Sequence, residues 1–332
     1  MEIVKPLLEI APNFPTATKM LREVSDRFSF WNPLYLIFIL CSLALFFLDP
    51  MTSGIASDFQ LYFMIGALGL VGIPHGAIDH IIYMKENTIG TAQFYFRYVG
   101  LILLYVGLWV LVPSVSMAFF LVLSAFHFGQ SQFSKERSDS KILNQTLQIS
   151  WGVAILSAMV YFQSEAIFSL FGMDRPWIHI ELVFNPNLYF FLMAISTVLT
   201  LAIFCKKFTS KSWTTKKFIN ELVILVAIYL CFWGLDLLIG FTLYFIILHS
   251  ASVLNEEYQY LKSEVTDLTV RSFIFMTVPY TSVSILGSVG LYAAHIMGWL
   301  PIPFVMIVFV FVSALTLPHS LVMDEFYKKL VK

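Results

Sequence analysis

Charge is scarce in this sequence. Asp, Glu, Lys and Arg make up 12% of its 332 residues and hydrophobic types 58%, against about 25% and roughly 45–50% in soluble domains, which excludes an ordinary water-soluble globule. Neither sign of charge is in excess: 20 Lys+Arg and 21 Asp+Glu give a net charge of −1. A nucleic-acid partner asks for a basic surface, so DNA and RNA are set aside. Cysteine is nearly lacking. Cys41, Cys205 and Cys231 sit in or beside apolar runs without metal spacing, which excludes a disulfide framework and leaves them packing roles. The pattern of a cleavable signal peptide is missing as well, because Glu2, Glu9, Glu23 and Asp26 precede any long apolar run. Residues 1–30 read as an amphipathic segment on the cytoplasmic surface, and 31–327 as a single transmembrane helical domain.

Long apolar runs are what the chain has in abundance. A bilayer core of about 30 Å needs roughly 20 mostly apolar residues in a helix. Ten segments meet that need, near 31–49, 58–83, 93–112, 114–134, 142–162, 187–205, 217–237, 239–257, 270–297 and 303–326. The expected fold class is therefore all-α, a polytopic transmembrane bundle of about ten spans with both termini cytoplasmic. Charge supports this: with that topology 19 of the 20 Lys+Arg fall on the inner side and Arg175 alone on the outer, the bias known for cytoplasmic loops. The outer stretch 163–186, with Asp174, Arg175, Trp177 and His179, reads as an interfacial helix and a turn.

Polar ligand-type residues inside a membrane are costly and point to function. Of seven histidines, His75, His127, His249 and His319 lie in the second, fourth, eighth and tenth segments, 10, 8, 7 and 9 residues ahead of Lys85, Lys135, Glu256 and Lys328. Those segments all run the same way, so the four rings sit at one depth and can converge. A lone intramembrane histidine is more often a packing element; four at one level favour a metal site. Gly, Ala or Ser flanks each one, in GIPHGAIDH, SAFHFGQS, ILHSAS and TLPHSLVMD, which suits close helix approach. Pro74 and Pro318 precede two of them and are expected to kink their helices. Imidazole suits Fe, Zn, Cu or Ni, and a bis-histidine haem is a further option. Asp79, one turn after His75, can accept the free ring N–H of a liganding histidine. Asp324 is a weaker counterpart after His319, and Gln130 and Ser131 read as bonding water. The HxxxH and HxxHH boxes of membrane di-iron enzymes and the GxSxG of acyl transfer do not occur.

PHGAIDH, FHFGQ, LHS and LPHS together resemble the motif set of the Brp/Blh family of membrane β-carotene 15,15'-dioxygenases over roughly residues 58–327. The resemblance implies non-haem Fe2+ held by His75, His127 and His249, with β-carotene and O2 as substrates and two molecules of all-trans-retinal as products. It also implies the plasma or inner membrane of a prokaryote, a bilayer-dissolved substrate, and a functional link to a retinal-binding rhodopsin. One position departs: family members often carry a histidine one turn after the HS dipeptide, where this chain has Val253. Three versions follow, with His319 in the fourth place, with three ligands and an open position, or with altered or lost activity. Aromatic residues, 33 Phe and 15 Tyr, are numerous enough to line a polyene tunnel, though the sequence assigns none of them. Two other readings stand beside this one, a proton-coupled transporter using a His75, Asp79 and His319 relay and a non-catalytic carotenoid or retinal binder.

Overall fold

The computed structural model describes residues 32–48, 57–86, 90–136, 140–171, 183–300 and 302–330, and among them regular structure is helical throughout. The expected N-terminal segment 1–30, and Asp174, Arg175, Trp177 and His179 of the outer stretch, lie outside the described residues.

The helices are α1 Pro33–Leu48, α2 Ser57–Ala67, α3 Asp79–Glu86, α4 Thr91–Leu111, α5 Pro113–Gln132, α6 Lys141–Phe162, α7 Ser164–Phe171, α8 Pro186–Thr209, α9 Thr215–Gly234, α10 Leu237–Leu243, α11 Ala251–Glu264, α12 Val270–Ile296 and α13 Phe304–Leu330. Their starts follow from side-chain chemistry. Ser140, Asn185, Thr214 and Thr269 each accept a hydrogen bond from a backbone N–H of the first turn they cap. Pro113 and Pro186 take first-turn positions, where a missing N–H costs nothing.

Each of the ten expected segments contains a helix. Eight stretches are long and apolar enough to cross a membrane unaided, including Phe59–Lys85 and Leu237–Glu264, which each run through a local irregularity. The α6–α7 pair is bent by 74° and makes a ninth if taken as one span, while α1 has 16 residues and falls short. Among the described residues, length and composition thus give eight or nine spans where ten were expected. Within the expected interfacial stretch, Ser164–Phe171 is helical. Outward-facing Leu70, Phe96 and Val110 are largely exposed, as fits a chain whose surroundings are lipid tails.

Two features position the site. The first is direct backbone packing of α5 on α6: a Cβ on Gly129 would run into the carbonyl of Gln148, and one on Gly152 into that of Ala125. Around this seam Trp151, Phe133, Phe204 and Trp213 stack into the largest apolar cluster. The second is the parallel course of the four histidine-bearing segments. At their C-terminal ends Lys85 meets Glu264 at 3.3 Å, Gln130 donates to Asp324 at 2.7 Å, and Ser134 donates to Glu256 at 2.6 Å. Near the opposite ends Gln60 donates to Asp236 at 2.6 Å.

Candidate metal centre

Two of the four histidines stand where the helix is wound abnormally. Pro74 has no N–H to give, and the chain passes it by widening and then tightening. Leu68–Gly72 is a π turn, closed by Ile73 N–H on the Leu68 carbonyl at 2.6 Å, and Pro74–Gly76 is a 3₁₀ turn that carries His75. His249 lies in a second π turn, Tyr244–Ser250, which packs against the first. Such turns recur at functional sites because they re-aim side chains within a helix. His127 sits in regular α5. His319 follows Pro318 inside α13, which continues as one helix through the proline, whereas at Pro74 the helix is interrupted by π and 3₁₀ turns.

The four rings form a closed cycle. Centroids lie 4.7 Å apart for His75–His319, 5.1 Å for His319–His127, 4.9 Å for His127–His249 and 5.2 Å for His249–His75, with neighbouring planes crossed at 77–84°. Ligand nitrogens of His75, His127 and His249 all lie within 4.8 Å of one another. Gly76 lets His319 in, since a Cβ there would stand 3.3 Å from its Nδ1. A porphyrin needs a flat slot between two ligands, and this cycle of crossed rings has none, so the haem option does not fit.

Hydrogen bonds fix two tautomers. Ser131 donates its hydroxyl proton to the Phe128 carbonyl at 3.0 Å, so its oxygen accepts from His249 Nδ1–H at 3.0 Å. His319 Nδ1–H donates to Asp79 at 2.9 and 3.1 Å, and Tyr98 donates to the same carboxylate at 2.8 Å. Both rings therefore keep Nε2 as a lone pair. His249 Nε2, His319 Nε2, His75 Nδ1 and both nitrogens of His127 are buried without a hydrogen-bond partner among the described residues. Each such atom costs about 1–3 kcal/mol if left unsatisfied. A divalent ion bound by imidazole lone pairs would satisfy one nitrogen of each ring it meets, with Asp79 supplying negative charge through the His319 ring; the buried three-histidine group fits a metal.

Asp79 meets His319 and not His75, and Ser131, read from sequence as bonding water, holds a histidine of another helix. Gln130 reaches Asp324, which also pairs with Lys328. Val253 is fully buried in an apolar cluster with Ile78, Ile82, Val322 and Met323. His80 packs on Tyr280 at 4.2 Å, and His295 Nδ1 is 3.1 Å from the Leu300 carbonyl. Neither belongs to the cycle. Sequence reading missed the aromatic wall on the cycle: Phe128 and Phe245 lie 4.8 and 5.2 Å from His249, and Phe245 also 5.8 Å from His75.

Residues 66–327 match a family model described as Beta-carotene 15,15'-dioxygenase. The chain belongs to that family. A curated relative from uncultured marine bacterium 66A03, named "Beta-carotene 15,15'-dioxygenase", is 33% identical over 78 residues, which are 21% of this chain and 28% of that protein. The chain thus aligns with well under two thirds of that relative's length. No solved structure matches the chain. The matched region of this beta-carotene 15,15'-dioxygenase family member contains all four rings, Asp79 and Ser131.

Proposed function

We propose that this protein cleaves β-carotene at its central 15,15' double bond with O2, giving two molecules of all-trans-retinal, at a non-haem Fe2+ held by His75, His127, His249 and His319. One observation carries the reading: in a family of this name, His75, His127 and His249 bring ligand nitrogens within 4.8 Å of one another, and the buried ring of His319, 4.7 Å from that of His75 and 5.1 Å from that of His127, adds an unpartnered Nε2 beside them. Iron would supply the redox chemistry with O2 that zinc lacks. The chain's own residues do the rest. Asp79 and Ser131 hold the rings of His319 and His249 by their Nδ1–H groups, which fixes orientation and raises the basicity of Nε2. Phe128 and Phe245 present apolar π faces beside the centre, where a polyene can lie and water is excluded. One O2 and one C=C bond become two aldehydes, so atoms balance without a further reductant.

A C40 hydrocarbon dissolves in lipid, and we place the protein in the plasma or inner membrane of a prokaryote as a multi-pass enzyme. There its product would serve a retinal-binding rhodopsin. A proton-coupled carrier draws support from the Asp79–His319 pair, but that pair equally serves a metal ligand, and family membership favours the enzyme. The test is expression in a β-carotene-making host, with extraction of retinal and metal analysis of the purified chain. Retinal together with about one iron per chain supports the reading; retinal absent from a well-expressed, iron-loaded chain removes it.

A further inference from the structure

A second group of buried polar residues lies beyond the four rings, on the side of the segments' C-terminal ends. Asp79 follows His75 by one turn, and Glu256 and Glu257 follow His249 by two turns. Tyr327 follows His319 by two turns, and Ser134 follows His127 by two turns. Each stands 4 to 8 positions further toward the C-terminal end of its segment, Ser134 just beyond the end of α5. Glu257 is fully buried, and neither of its carboxylate oxygens has a hydrogen-bond partner among the described residues. Glu256 Oε2 and the Tyr327 hydroxyl are likewise buried and unpartnered. Tyr327 shares one buried cluster with Ile78 and Ile82 near Asp79 and with Val253 and Leu261 of the helix that carries Glu256 and Glu257, so these segments pack together at this level.

Glu257 makes a poor packing solution, because an unpaired buried carboxylate is among the costliest groups in a protein, whereas Asp79 and Glu256 each have hydrogen-bond partners. Lys135, 3.5 Å from Glu256 and largely exposed, marks where the group reaches the surface; Asp79, bonded to His319, marks where it reaches the rings. We propose that Glu256, Glu257, Tyr327 and Asp79 form an entry passage through which a divalent metal cation reaches the histidine centre. All-oxygen surroundings hold such an ion loosely, whereas neutral imidazole nitrogens suit a first-row transition metal better. Transfer from the acidic group to the rings is therefore downhill. The inference rests on the reading of the four rings as a metal centre.

Its test uses the purified full chain, stripped of metal and then mixed with Co2+, whose visible absorption reports imidazole ligation. Glu257→Gln should slow uptake by about tenfold, the low end of the 10–10³-fold by which charge-lined clefts raise on-rates, and leave the final spectrum and stoichiometry unchanged. Glu257→Asp, which keeps a carboxylate, should restore most of the rate and also shows that the position tolerates change. Uptake by Glu257→Gln at the parent's rate overturns the passage. So does a lowered end-point in both variants, which would make Glu257 a support of the centre. A parent chain that binds no Co2+ at all instead removes the metal centre, and the passage with it.

Discussion

Asp79 and Ser131 are neutral tests of the centre, since neither would touch the ion. Asp79→Asn keeps the shape but loses the charge and the strong acceptor, so iron affinity measured by competition with a chelator should fall by about 10–100-fold. Ser131→Ala should do the same to a smaller extent by freeing the His249 ring. Alanine at His75, His127 or His249 should abolish bound iron, whereas His295→Ala, with its ring 3.1 Å from the Leu300 carbonyl, should leave iron content at the parent's level. The depth of the four histidines was legible because it follows from counting residues along helices. The partners of Asp79 and Ser131 were not: they depend on how α3 is rotated toward α13 and α5 toward the Tyr244–Ser250 turn, and rotation is set by side chains distant in sequence. Glu257 and Tyr327 carried a readable signal, each two turns beyond a candidate ligand.

Among the elements, α5 and α6 depend most on a missing side chain. Gly129→Ala would force the helices apart at the Gln148 carbonyl, and such overpacking costs about 1–3 kcal/mol. The expected result is a lower midpoint of thermal unfolding in detergent together with lost metal, because His127 is carried by the same helix. A polar staple ends this pair. Glu136 accepts from Lys207 at 3.0 Å, from Trp213 at 2.7 Å and from Lys217. Burial pushes its carboxyl up, but the hydrogen bonds from Lys217, Trp213 and Lys207 outweigh that and hold it below its ordinary value. A lowered carboxylate contributes stability above its unfolded pKa of about 4.3 that is lost as pH falls through the folded value. Thermal midpoints should therefore drop below about pH 4, and Glu136→Gln should flatten that drop. The helices themselves were legible from apolar length; the π turns were not, since they arise from Pro74 and from packing between two segments that the sequence shows far apart.

For the whole molecule, the arrangement of spans is open to a direct check. Single cysteines placed in the basic 206–217 stretch should react with a membrane-impermeant reagent only from the cytoplasmic side, as the ten-span reading of the Lys and Arg distribution predicts. Labelling from outside would reverse the orientation. The bond between Asp79 and His319 joins residues 240 positions apart, and the ring of His319 closes the cycle. During synthesis three imidazoles are therefore in the membrane long before the fourth arrives, and the centre cannot close until the last helix is threaded into place. Under the proposed iron reading, bound metal would count finished molecules: a ribosome-stalled chain ending near residue 300 should insert its earlier helices yet hold iron weakly, and iron retention would measure completed assembly.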